Sequence, residues 1–166
     1  MTPASRDAAL ADLCREHWVA LVRLALLMLG DRPSAEDAVQ DAFAGLYRNW
    51  ERLRDPSQAL TYLRSSVLNR SRSILRRRRV ALLHTHFHDP PVWSAEHEAV
   101  LSEDRREVLR ALTRLPARRR EVLVLRFYLD LKDAEIATTL GISEGAVRTA
   151  ASRGLASLAR ILKEDR

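Results

Sequence analysis

Apolar residues recur along this 166-residue chain in alternating steps of three and four, and no period-two alternation appears, so the pattern predicts helices and no strands. Ser5 to Leu29 reads as a first helix with Leu10, Leu13, Leu21, Leu24 and Met28 inward, broken by Gly30-Asp31-Arg32-Pro33. Ser34 is the expected cap of a second helix, with Glu36 and Asp37 in its first turn. That helix carries Val39, Phe43, Leu46, Trp50 and Leu53 inward. Asp55-Pro56 opens a third helix running to about Arg79, with Leu60, Leu63, Val67 and Ile74 on one side. Further helices are expected near residues 103–115, 117–128, 133–140 and 144–162, with Pro116 suited to a helix start.

Between the two groups the character changes. Val80 to Glu98 holds Pro90 and Pro91, four histidines (His84, His86, His88 and His97), and three acids against no Lys or Arg. It reads as a flexible linker. The expected fold is therefore all-α, with an N-terminal helical domain over 1–79, a linker over 80–98 and a C-terminal helical domain over 99–166. His84, His86 and His88 offer metal-binding chemistry, but a flexible segment without cysteine gives them no fixed geometry, and the segment is read as an exposed linker with no metal.

The clearest local signature lies at Ala134–Leu158. Ala134, Ile136, Ala137 and Leu140 form the packing side of a short helix that Gly141 ends. Ile142 fills the corner and Ser143 caps a longer helix through its hydroxyl. Val147, Ala151, Leu155 and Leu158 are expected inward, leaving Glu144, Arg148, Thr149, Ser152 and Arg153 outward. This is the pattern of a helix-turn-helix whose second helix reads a DNA major groove.

Charge strengthens that reading. The net charge is +6, and it sits in both flanks: 14 basic against 9 acidic side chains over 1–79, and 14 against 10 over 99–166. From Pro56 to His88 there is no acid, yet there are seven arginines. Tyr62, Ser66, Asn69, Ser73 and Arg76 share one face of the third helix, with Arg72 alongside. This is a set suited to phosphates and base edges, and Tyr62 can stack on an unpaired base. The second helix presents Asp37, Gln40, Asp41 and Arg48 outward, which by itself is an ordinary solvated face. Cys14 is the single cysteine, so neither an internal disulfide nor a multi-cysteine metal site is expected. No apolar run suits a membrane span, and the charged N-terminus does not suit a signal peptide, so a cytoplasmic location is expected. No nucleophile motif or phosphate-binding glycine loop appears; the expectation is a binding protein without enzymatic activity or cofactor.

In this order of parts the chain resembles the extracytoplasmic-function (ECF) sigma factors of bacterial RNA polymerase, from about Leu10 to Leu162. Ala35 to Phe43 is similar to the segment that binds the β′ clamp helices, which makes Asp37, Gln40, Asp41 and Arg48 candidate contacts to core polymerase. Tyr62-Leu63-Arg64 through Asn69, Arg72 and the arginine run resembles the helix that melts and reads the −10 element. Leu115 to Val122 and the helix-turn-helix look like the domain that reads the −35 element. The resemblance implies −35 contacts from Lys132, Ser143, Glu144, Arg148, Thr149, Ser152 and Arg153. It also implies −10 contacts from Tyr62, Ser66, Asn69, Arg72, Ser73 and Arg76, with phosphates held by Arg118, Arg119 and Arg120. Promoter DNA, core RNA polymerase and an anti-sigma factor are the implied partners, with one copy per holoenzyme. Ser73 stands where the family commonly has an aspartate, and Ala150 where it has an arginine. The alternatives are a stand-alone helix-turn-helix regulator, or a sigma-like decoy that binds polymerase or an anti-sigma factor.

Overall fold

The computed structural model describes residues 2–84 and 103–165. The chain forms two compact units, Met1–Asp89 and Pro90–Arg166, and among the described residues every regular element is helical. No helix there is long and apolar enough to cross a membrane.

The N-terminal unit is a bundle of α1 (Pro3–Leu29), α2 (Arg32–Asn49) and α3 (Ala59–His84). Gly30 ends α1 in the left-handed region at φ 81°, its N–H donating to the Leu26 carbonyl at 2.8 Å. Asp31, not Ser34, caps α2, accepting from the Ser34 N–H at 2.9 Å. The chain leaves Gly30 so abruptly that Arg32 and Pro33 already occupy the first turn. Glu36 consequently sits one turn in, where it accepts from Arg32 Nε at 2.8 Å. The core is formed by Leu21, Leu24 and Met28 of α1, Val39 and Leu46 of α2, and Leu63, Val67 and Leu68 of α3. Buried Ala35, Ala38 and Ala42 alternate with Val39 and Leu46 on the inner side of α2. α2 stops at Asn49, and Trp50–Arg52 is a 3₁₀ turn that places Trp50 in the core.

Arg78 does not belong to a free basic run. Its guanidinium donates to the Leu29 carbonyl at 2.8 Å, to the Ser34 hydroxyl at 2.9 Å and to the Asp31 carboxylate, tying α3 to the α1–α2 corner. Partial burial alone would raise the Asp31 pKa. The hydrogen bonds from Ser34 and Arg78, with the Arg78 charge, outweigh it and hold the carboxyl below its ordinary value. α3 also runs five residues beyond Arg79, so Val80–His84 are helical rather than linker. The rest of the expected linker, including His86, His88 and His97, lies outside the described residues.

The C-terminal unit contains α4 (Glu103–Thr113), α5 (Ala117–Leu123), α6 (Asp133–Leu140) and α7 (Glu144–Glu164). The expected continuous helix over 117–128 is interrupted: Val124–Tyr128 is a π turn, with the Leu129 N–H reaching back five residues to the Val124 carbonyl at 3.2 Å. Ala111, Leu115, Leu123 and Ile161 pack together, with Leu112, Leu158 and Leu162 against them. The inward stripe of α7 is Val147, Ala151, Gly154 and Ile161, whereas Leu155 is 44% exposed. Gly154 takes the inward place because a Cβ there would lie 3.2 Å from Leu123 Cδ1 and Cγ, and 3.4 Å from Arg119 Cβ. Close approach of α5 and α7 selects the residue without a side chain, and the helical step then carries Leu155 to the outside.

Candidate nucleic-acid interface

The turn between α6 and α7 is built from local chemistry. Gly141 adopts φ 65°, ψ 37°, a conformation that costs an L side chain about 1 kcal/mol. The Ile142 N–H then satisfies the Ala137 carbonyl at 3.1 Å. The Ser143 hydroxyl accepts from the Ala146 N–H at 3.1 Å, capping α7. At the other end of α6, the Glu135 carboxylate accepts from the Lys132 N–H at 2.8 Å, and Arg126 pairs with Asp133. Ile136, Thr139 and Leu140 are the buried side of α6; Ala134, expected to pack, is exposed. Thr139 is tolerated inside because its hydroxyl donates to the Glu135 carbonyl at 2.8 Å.

With this turn in place, Lys132, Ser143, Glu144, Arg148, Thr149, Ser152 and Arg153 are all exposed, while Val147, Ala151 and Gly154 are buried. One helix therefore presents hydroxyls, two guanidiniums and one carboxylate on a surface whose only apolar side chains through Arg153 are the methyls of Ala146 and Ala150. Arginine matches the O6 and N7 acceptors of guanine in a major groove, and threonine offers a hydroxyl and a methyl. The Ser143 hydroxyl accepts the capping bond and keeps its O–H to donate.

The three consecutive arginines of α5 separate. Arg120 is a correction to the expected phosphate contact. It is 6% exposed, with Nη2 donating to the Thr113 carbonyl at 2.6 Å and the Leu115 carbonyl at 3.1 Å. The Thr113 carbonyl ends α4 and that of Leu115 lies two residues beyond, where the last turn leaves acceptors without intrahelical donors and a cation is favoured. Burial lowers the Arg120 pKa, and the adjacent Glu121 charge opposes that shift. Glu121 is fully buried, and Arg118 Nη1 lies 3.3 Å from its Oε2. Arg119 Nη1 donates to the Ser157 hydroxyl at 2.9 Å, fastening α5 to α7.

In the N-terminal unit, α2 and α3 enclose an open groove of about 430 Å³ lined by Tyr62, Ser66, Asn69 and Ser73 of α3 and by Asp41, Gly45, Arg48 and Asn49 of α2. Two sets of expected contacts thus share one surface: four −10 candidates face two polymerase candidates. Arg72 and Arg76 lie outside this lining. Gly45, an unfavourable residue inside a helix by about 1 kcal/mol relative to alanine, has a packing reason. A Cβ there would stand 3.3 Å from the Tyr62 hydroxyl. Asn49 Nδ2 donates to the Gly45 carbonyl at 2.9 Å and lies 3.4 Å from the Tyr62 hydroxyl. Asp41 is not a free carboxylate; Arg70 of α3 pairs with it, both about half exposed. A pair this exposed is worth at most about 1 kcal/mol, so it orients the two side chains more than it stabilises the bundle. Asp37, Gln40 and Arg48 are exposed on α2. Asn49, Gly45 and Arg70 were not among the expected site residues; the helix-interior glycine was the signal that a neighbour approaches closely.

Comparison with known proteins places both units. Residues 6–80 match the sigma-70 region 2 family, and residues 105–158 match the sigma-70 region 4 family. The chain is 31% identical over 166 residues to the ECF RNA polymerase sigma factor SigL of Mycobacterium tuberculosis, covering 97% of this chain and 93% of that protein. It is 31% identical over 148 residues to the RNA polymerase sigma-E factor of Streptomyces coelicolor, covering 89% of this chain and 82% of that one. Among solved structures, CnrH in complex with the cytosolic domain of CnrY is similar at TM-score 0.73 and 27% identity, over 96% of this chain and 91% of that one. The sigma factor RpoE in complex with the anti-sigma factor NepR from Bartonella quintana has the same fold at TM-score 0.72 and 23% identity, over 93% and 99% of the two chains. With a region 2 unit, a region 4 unit carrying the helix-turn-helix, and full-length relatives of the same kind, the chain belongs to the ECF sigma factors, which direct RNA polymerase in transcription initiation.

Proposed function

We propose that the protein binds core RNA polymerase through the α2 face of Asp37, Gln40, Asp41 and Arg48. The groove beside that face receives the −10 element through Tyr62, Ser66, Asn69 and Ser73, with Arg72 and Arg76 beside it on α3. α7 enters the major groove of the −35 element, where Arg148, Thr149, Ser152 and Arg153 meet base edges and Lys132 meets phosphate. The observation that carries this reading is the sorting of α7 from Glu144 to Gly154: Glu144, Arg148, Thr149, Ser152 and Arg153 are exposed, while Val147, Ala151 and Gly154 are buried. Removing a base from the stack costs a few kcal/mol, so promoter melting draws on polymerase and both units acting as linked modest binders. The chain contributes binding and no covalent chemistry, and it works in the cytoplasm. An anti-sigma protein covers its surfaces when it is idle; RpoE was solved with NepR and CnrH with the cytosolic domain of CnrY.

The test is reconstitution with core polymerase and run-off transcription on promoter fragments. Transcripts dependent on both elements are expected. Arg148→Ala lowers discrimination at one −35 position by about 1–3 kcal/mol while leaving core binding unchanged. Loss of core binding in that variant overturns the assignment of roles, and DNA binding without any core affinity favours a stand-alone regulator.

A further inference from the structure

The reading face of α7 carries one acid, Glu144, in its first turn. A carboxylate on a surface meant for a polyanion is unfavourable unless a donor meets it. In the structure the nearest cation is Arg148, at ion-pair distance: its Nη1 lies 3.9 Å from Glu144 Oε2, one helical turn away, with the side chains 62% and 55% exposed. Between them lies Gly145. A Cβ at that position would be 4.0 Å from Arg148 Nη2 and 3.9 Å from the Ser143 hydroxyl. The guanidinium is therefore laid back along the helix over bare backbone, toward the helix start. An arginine side chain carries about 2 kcal/mol of rotamer entropy, and an unheld one can drop onto a phosphate as easily as onto a base.

We infer that Glu144 is a positioning residue that sets −35 specificity: it holds the Arg148 guanidinium across Gly145 in line with a base edge and keeps the first turn of α7 from gripping phosphates indiscriminately. This rests on the reading that α7 enters the major groove. Glu144 reads no base itself; it acts through Arg148. The consequence has an unusual sign. Neutralising Glu144 makes binding to random DNA tighter and makes discrimination poorer, whereas losing a direct contact weakens specific binding. Position 145 takes part as well: a Cβ there would touch Arg148 Nη2 at ordinary contact distance, 4.0 Å, so a branched, longer side chain would displace the guanidinium.

The experiment measures holoenzyme binding to promoter fragments, to fragments substituted at each −35 position, and to random duplex across a salt series. Glu144→Gln is expected to tighten random-duplex binding about threefold to tenfold and to steepen the salt slope by up to about one. It is expected to lower discrimination about threefold to tenfold at the position that Arg148→Ala identifies, and nowhere else. Gly145→Leu, which keeps the charge and obstructs the guanidinium, is expected to lower discrimination at that same position without the rise in random binding. In the Arg148→Ala background, Glu144→Gln should change only the random-duplex affinity. Unchanged discrimination in Glu144→Gln, with Arg148→Ala still effective, overturns the inference and leaves the major-groove reading standing. No effect of Arg148→Ala at any −35 position overturns the major-groove reading, and the inference with it. Circular dichroism of each variant confirms that the exposed first turn of α7 has not unwound.

Discussion

Replacing Arg120 by methionine keeps most of the side chain's length and removes its charge and donors. In the native structure this guanidinium satisfies the Thr113 and Leu115 carbonyls at 2.6 and 3.1 Å and lies beside Glu121, whose side chain is fully buried. The loss has two parts. Charged hydrogen bonds contribute about 1.5–3 kcal/mol, and stripping one partner from a buried ionic cluster costs about 3–5 kcal/mol because the other charge is stranded. These parts overlap, and Arg118 still faces Glu121 at 3.3 Å, so a net loss of about 2–4 kcal/mol is expected. For a unit of this size that lowers the midpoint of thermal unfolding by roughly 10–30 °C. Urea and thermal unfolding followed by circular dichroism, with hydrogen exchange to localise the loss to α4 and α5, measure it. Adding Glu121→Leu should recover much of the stability, since the stranded acid is then gone. The opposite pattern would refute the reasoning: stability within about 0.5 kcal/mol of wild type, with affinity falling equally for all DNA sequences and a salt slope shallower by about one. That is the signature of a phosphate contact.

Two further outcomes follow from the packing. Asp31→Ala removes the α2 cap and the Arg78 partner together, and is expected to cost about 1–2 kcal/mol near pH 7. The Asp31 carboxyl titrates below its ordinary value in the folded protein. Its stabilisation is therefore present above about pH 4 and lost as the pH falls through the lower folded value. The stability gap between the two proteins should narrow on acidification, and a gap that widens between pH 6 and pH 3 contradicts the assignment. Gly154→Ala gains about 1 kcal/mol of helix propensity but sets a methyl 3.2 Å from Leu123 Cγ. Overpacking of this kind costs about 1–3 kcal/mol, so urea denaturation should show net destabilisation, and a more stable variant would show that α5 and α7 are not in close contact.

Elements whose causes are local were legible in the chain. Gly141 and Ser143 act within four residues of themselves, through a left-handed backbone and one hydroxyl, so the helix-turn-helix stands where its residues predicted it. The exposed face of α7 from Glu144 to Arg153 followed from its period alone. The capping of α2 was misread by three residues, because Ser34 and Asp31 are equally good caps in isolation. What separates them is where the helical backbone resumes after Gly30: Arg32 and Pro33 already lie in the first turn, so the Ser34 N–H is a donor that Asp31 accepts from. Leu155 was misplaced for a related reason: hydrophobicity marks a residue as able to be buried, while the distance between two helices decides whether a glycine must take its place.

The sequence by itself determined the helical class, the two-unit organisation, the position of the helix-turn-helix and the acid-free basic character of α3, because each follows from periodicity, punctuation and charge along one stretch of chain. Only the tertiary structure decided which arginines are free to meet a ligand. Arg120 and Arg78 are inward ties on backbone carbonyls, Arg70 is turned toward Asp41, and Arg148 and Arg153 face solvent. Arginine is a long side chain with five donors. Whether those donors serve the fold or a partner depends on which carbonyls and carboxylates other helices bring within reach, and no local pattern encodes that.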